Sequence, residues 1–204
     1  MPVDVLFVAY GPTAESEKWL VPAVTSLFAN AKNLGRVIVA GLPPPSLPDG
    51  VQRFPVPPML SRGSRYDNAT DGVLRAIDEG VVSGEFLYAP PGATISEPTD
   101  LAEYPRYARR DRIQSVADLI RENKGGAVVT KYKLVLSDTR TALERNGYPA
   151  AEMTGRFLTH IDCADAPEVK RIWLEEPHGE FGYDVSSLFG NIRAKRVPTV
   201  LMPA

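Results

Sequence analysis

Val3-Asp4-Val5-Leu6-Phe7-Val8-Ala9-Tyr10 decides the architecture of this chain. Apart from Asp4 it is apolar at odd and even positions alike, so both faces of an extended strand would be buried. That is the signature of a central, parallel-type strand covered by helices on both sides. Gly11-Pro12 ends it. Leu20, Val24, Leu27, Phe28 and Ala31 then recur at helical spacing, which predicts a helix over about 16–33. Pro22 falls in its first turn or kinks it, and Gly35 closes it. Arg36-Val37-Ile38-Val39-Ala40-Gly41 is a second strand. Strand, helix, strand in this order calls for a right-handed parallel crossover.

A proline-rich loop, Leu42 to Gly50, leads to an edge-type strand at Val51–Val56, where Pro55 cannot donate to a ladder. Asn68 or Thr70 is a candidate cap for a helix with the apolar face Val73, Leu74, Ile77 and Val81. Glu85–Ala89 is a fourth strand, cut off by Pro90-Pro91-Gly92. Ser96 to Asp111 reads as a long polar loop, and Ile113, Val116, Ala117 and Ile120 as a helix ending near Gly125. A helix near 135–146 stops at Gly147, a left-handed cap. Phe157–Ile161 reads as a strand, Pro167 opens a helix over Glu168–Glu175, and Val197–Met202 is a last strand. The predicted class is α/β, a Rossmann-like, mostly parallel sheet flanked by helices. With no repeat and no low-complexity linker in 204 residues, a single domain over 1–204 is expected.

Composition narrows the function. The net charge of −2 disfavours wholesale electrostatic binding of nucleic acid. The one cysteine, Cys163, cannot form an intrachain disulfide, and no signal-peptide pattern opens the chain; both fit a cytoplasmic location. No apolar run approaches the ~20 residues that span a bilayer, so membrane insertion is not expected. GxGxxG, the P-loop, HExxH, CxxC and GxSxG patterns are all missing, which removes motif support for dinucleotide, P-loop, metalloprotease, zinc-ribbon and standard hydrolase chemistry.

Four groups of residues carry candidate chemistry. Arg106, Arg109, Arg110 and Arg112, interleaved with Tyr104 and Tyr107, match a diphosphate or nucleic-acid backbone; balanced by Glu103 and Asp111, they also match a solvated loop. His160 and Asp162 alternate at a strand end and would face one way, as a general base or a ligand pair, or as an ordinary hydrogen-bonded strand end. Asp67 and Asn68 suit either a sugar hydroxyl or helix capping. His178 and Asn191 read as loop and turn residues.

In this order the segments resemble the GT-A-fold glycosyltransferase-like proteins of bacteriophages, related to the bacterial capsular polysaccharide phosphotransferases called Stealth proteins. The matching pieces are Arg36–Gly41 with Pro43–Pro45, Asn68, Phe86-Leu87-Tyr88, Thr139-Arg140 with Leu143 and Gly147, His160, and Ser187-Leu188-Phe189-Gly190-Asn191. The resemblance implies a single GT-A-like domain, with a nucleotide-binding half over 1–95 and an acceptor-side half over 96–204. It implies transfer of a sugar from a nucleotide-sugar donor to an acceptor hydroxyl on a modified DNA base, a protein or a glycan, in a phage-infected host's cytoplasm. The donor would lie on Ala9, Tyr10, Gly11, Asn68, Tyr88, Arg106, Arg109 and Arg110, with Asp162 or His160 activating the acceptor. The resemblance departs at one point. Where Phe-Leu-Tyr is followed by metal-binding acids in active members, Ala89-Pro90-Pro91-Gly92 stands here. A divalent cation, Mn²⁺ or Mg²⁺, thus lacks its usual ligands. Three outcomes follow: arginines replace the metal, other acids such as Asp67, Glu97 or Asp100 hold it, or the chain is a catalytically inactive binding module for nucleotide, sugar or protein.

Overall fold

The computed structural model describes residues 1–11, 13–59, 64–104, 127–149, 158–177 and 181–197. Its chain order is β1 (Val3–Ala9), α1 (Thr13–Asn30), β2 (Ala31–Lys32), β3 (Leu34–Gly41), β4 (Val51–Pro55), α2 (Arg65–Asp78), β5 (Glu85–Ala89), β6 (Thr99–Asp100), a 3-10 turn at Leu101–Glu103, α3 (Ala127–Arg145), β7 (Thr159–Asp162), a second 3-10 turn at Cys163–Asp165, α4 (Ala166–Glu175) and α5 (Val185–Arg196). The main sheet runs β4-β3-β1-β5-β7, and a small second sheet pairs β2 with β6. β1, β3, β4 and β5 are mutually parallel; β7 is antiparallel to β5. The protein is therefore α/β, with a mostly parallel central sheet flanked by helices.

β1 is apolar on both faces because both faces are covered. Leu6 and Val8 join Ile38, Ala40, Phe86 and Tyr88 under Val73 and Leu74 of α2, Trp173 of α4, and Leu188 and Phe189 of α5. Val5, Phe7 and Ala9 join Val37, Val39 and Leu87 under Leu20, Val24 and Leu27 of α1 and Leu101. Val5, Leu6 and Phe7 have no exposed surface, and burying each large side chain contributes roughly 1.5–3 kcal/mol. Asp4, the polar exception, sits at the start of the strand, where it accepts from the Arg36 amide at 2.8 Å and the Arg36 guanidinium at 2.5 Å.

Several boundaries differ from the sequence expectation, each for a local reason. α1 ends at Asn30 rather than near 33, because Ala31–Lys32 pairs with Thr99–Asp100. Asn33, at φ +55°, makes a left-handed turn ahead of Gly35, which was expected to close the helix, and donates to the Asp100 carboxylate at 2.8 and 2.9 Å. Gly35 lies within β3 instead, where a Cβ would meet Asp4 Oδ1 at 2.6 Å. Pro22 lies inside α1, past its first turn. Ser64 caps α2, accepting from Asp67 N at 3.0 Å; Asn68 and Thr70 are inside the helix, and Val81 is beyond its end. β4 stops at Pro55, one residue short of the expected end, and lies at the sheet edge.

In the second half, α3 starts earlier than expected and ends at Gly147 with φ +68°, as expected of a left-handed cap. Pro167 stands in the first turn of α4. The expected strand at 157–161 is found at Thr159–Asp162. α5 occupies Val185–Arg196, where the sequence suggested a turn at Asn191; Val197 caps that helix, and the rest of the expected last strand lies outside the described residues. The expected helix around 113–120 also lies outside them.

Candidate functional site

The strand order fixes where a ligand crevice forms. From β1 the chain turns to β3 on one side and later returns to β5 on the other, so the order reverses between β1 and β5. In open α/β sheets ligands lie outside the carboxyl ends of the strands at this switch point. The switch-point end of the sheet, where such a crevice would lie, is bordered by Ala9 at the end of β1 with Tyr10 and Gly11 after it, and by Ala89 at the end of β5 with Pro90 after it. Phe7 pairs with Ala89, so β1 reaches beyond β5 and presents its last residues at the rim.

Of the sequence-derived donor residues, Ala9, Tyr10, Gly11 and Tyr88 are brought to this end of the sheet. Their side chains are not all turned to the crevice. The Ala9 carbonyl accepts from Leu42 N at 2.7 Å. The Tyr10 ring fills space left by two glycines: a Cβ on Gly41 would lie 3.1 Å from the ring, and one on Gly72 would lie 3.2 Å from the hydroxyl. Tyr10 thus braces α2 against β3. Its hydroxyl is buried without a partner among the described residues. Burial pushes the Tyr10 pKa up, the nearby Asp71 carboxylate adds to this, and Arg75 opposes it. Removing a buried, unbonded hydroxyl should recover part of its desolvation penalty. Tyr10→Phe is expected to raise stability by about 1 kcal/mol in urea unfolding; a loss of stability would show that the hydroxyl is bonded.

Tyr88 is buried on the face covered by α2 and α5. Burial raises its pKa, and Asp184 and then Tyr66 add to the rise, so these two groups are its electrostatic neighbours. Asn68 is spent on structure: its side chain donates to Ser64 O at 2.9 Å and accepts from Met59 N at 2.7 Å, tying the segment before α2 to its first turn. Asp67 accepts from the Trp173 indole at 3.0 Å, joining α2 to α4.

His160 and Asp162 are not brought into the crevice together. β7 runs antiparallel to β5, with Thr159 opposite Tyr88, His160 opposite Leu87 and Asp162 opposite Glu85. Asp162 is therefore level with the first residue of β5, at the far end of the sheet from Ala9. There it accepts from Ala164 N at 3.0 Å and from Arg196 at 2.5 Å. Burial works to raise its pKa, but the Ala164 amide and the Arg196 guanidinium outweigh it and hold the carboxyl below its ordinary value. His160 is buried mid-strand, with Nε2 3.1 Å from Tyr104 O and its ring tilted against the Tyr104 ring.

Arg106, Arg109, Arg110, Arg112, Tyr107 and His178 lie outside the described residues. Asn191 is buried within α5, donating to Ser187 O at 2.8 Å. Asp100 holds Asn33 and the Ala102 amide beside β2. Among the described residues no group of three or more His, Cys, Asp or Glu side chains is arranged to hold a metal ion, and no helix is long and apolar enough to cross a membrane.

The sequence reading missed Asp184. It caps α5, accepting from Ser187 N at 2.8 Å and Ser187 Oγ at 2.7 Å, while its own amide donates to Thr139 Oγ1 at 2.9 Å. It is 6% exposed, and burial raises its pKa against the opposing Ser187 hydrogen bonds. Its only sequence signal is a capping residue type directly before the apolar Val185, and no visible helical period follows to support it. The chain matches no known family model, and no curated protein matches it significantly.

Proposed function

We propose that this chain is a GT-A-like glycosyltransferase that takes a sugar from a nucleotide-sugar donor. The observation that carries the proposal is the switch point between β1 and β5 in a β4-β3-β1-β5 parallel sheet closed by an antiparallel strand. This arrangement supports a donor lying across the ends of both strands, on the backbone of Ala9–Gly11 and beside the Pro90–Gly92 turn. The acceptor is then approached from the side of β7 and α5.

The end of β5 does not fit a divalent cation. Ala89, Pro90, Pro91 and Gly92 offer no side-chain oxygen, so no step is assigned to a metal there. On this reading the charge of the departing diphosphate falls to cationic side chains, for which Arg106, Arg109 and Arg110 are the candidates; guanidinium forks match phosphate oxygens. The same Pro90-Pro91-Gly92 turn favours a second reading, a binding module that has kept the crevice and lost transfer.

Thermal unfolding in EDTA with a panel of UDP-, GDP- and ADP-sugars, with donor hydrolysis followed in parallel, tests the proposal. Stabilisation by one donor class together with slow release of free sugar is the expected result. Stabilisation without release selects the binding module. No response to any nucleotide or nucleotide sugar overturns both.

A further inference from the structure

Four carboxylates are buried among the described residues: Asp67, Asp71, Asp165 and Asp184. Three are committed. Asp67 takes the Trp173 indole, Asp71 pairs with Arg75 at 2.9 Å, and Asp165 pairs with Arg196 at 2.9 Å. Asp184 has no cationic partner among the described residues. Both of its hydrogen bonds from Ser187 fall on Oδ1, and Oδ2 accepts none among the described residues.

Its place in the fold is the crevice end of the sheet. Ser186, two residues along, has Oγ 3.2 Å from Thr159 Oγ1, and Thr159 pairs with Tyr88, next to the last residue of β5. The cap alone does not explain the residue. Serine or asparagine caps a helix about as well as aspartate and carries no charge to bury, whereas a buried carboxylate without a cation is costly to keep ionised. A carboxyl with Oδ1 fixed by two hydrogen bonds and Oδ2 unbonded among the described residues, at the end of the sheet where the donor would lie, is placed to take a proton.

We propose that Asp184 Oδ2 is the general base that takes the proton of the acceptor hydroxyl. The inference rests on the glycosyltransferase reading above. In the step, the acceptor oxygen forms a bond to the anomeric carbon of the donor sugar. The bond from that carbon to the diphosphate oxygen breaks, and the nucleoside diphosphate leaves with the electron pair. The hydroxyl proton passes to Asp184 and from there to solvent. Atoms and charge balance without a further reactant.

The test compares wild type with Asp184→Asn and Asp184→Ser, both of which keep a capping oxygen. The probe is the nucleotide sugar that stabilises the wild type, with water or an added acceptor as the attacking group. Both variants are expected to bind the donor with unchanged Kd and to lose about 10²-fold or more in kcat, the usual contribution of a general base. The wild-type rate should also fall toward acid pH along a limb that the variants lack. Transfer by either folded variant within about threefold of wild type overturns the assignment and leaves the glycosyltransferase reading standing. Should neither variant fold, a wild-type rate without an acid limb overturns it instead. A wild type that releases no sugar from any donor removes the parent reading, and this assignment with it.

Discussion

Gly182→Ala is expected to cost about 3 kcal/mol or more in unfolding free energy, because backbone and packing penalties fall on one atom. Gly182 sits at φ +74°, a left-handed conformation that charges a Cβ roughly 1–2 kcal/mol. That Cβ would also overlap the Asp67 carboxylate. Asp67 has nowhere to go. It is 1% exposed, the Trp173 indole holds its Oδ1 at 3.0 Å, and its amide donates to Ser64, whose hydroxyl reaches Phe181 O at 2.7 Å. This knot ties the segment before α5 to the first turn of α2. Urea unfolding followed by Trp173 fluorescence checks the expectation. Asp67→Ala removes the obstacle, so the two substitutions together should cost less than their sum, by about 1–2 kcal/mol. A Gly182→Ala protein within about 1 kcal/mol of wild type would show that the close approach is not maintained in solution.

The second large effect lies at the opposite end of the sheet. Arg193 is 7% exposed; its Nη2 donates to Glu85 at 2.6 Å, and its Nε and Nη1 are buried without partners among the described residues. Breaking a buried ion pair leaves a desolvated charge and typically costs about 3–5 kcal/mol. The Glu85 side chain is 34% exposed, so water replaces part of what it supplied, and Glu85→Ala should cost about 2–3 kcal/mol. Arg193→Met removes the charge and keeps most of the volume, and should be close to neutral. In the Arg193→Met background the Glu85→Ala cost should fall by the part that the ion pair supplies. Equal losses from Glu85→Ala and Arg193→Met would mean that the guanidinium contributes through packing and not through its charge.

These two knots mark where sequence reasoning stops. β1, β3 and β5 are legible because strands buried on both faces leave unbroken apolar runs, and Gly147 and Pro167 are legible because their backbone preferences are local. α5 is not. Every residue from Val185 to Ala194 is buried, so no polar stripe reveals a helical period, and Gly190-Asn191 imitates a turn. The helix cap at Ser64 was hidden by better-looking candidates one turn later. The placement of Asp162 turned on strand direction. His160 and Asp162 occupy the end of a strand, but β7 runs against its neighbour, so that end lies beside Glu85 and not beside Ala9. No local feature of Thr159–Asp162 encodes this; it follows from how the chain returns to the sheet. Asp184 escaped for the same reason as α5, since its role depends on the helix it caps.

Mapping amide chemical shifts of the isotope-labelled protein during titration with the stabilising donor shows whether a nucleotide sugar occupies the switch point between β1 and β5. Changes are expected at the carboxyl ends of the parallel strands, at Gly11, Ala89 and Gly92, and at Arg106, Arg109 and Arg110, with Asp162, Arg196 and Glu85 unmoved. Changes centred on Asp162 and Arg196, or none at saturating donor, would contradict that occupancy.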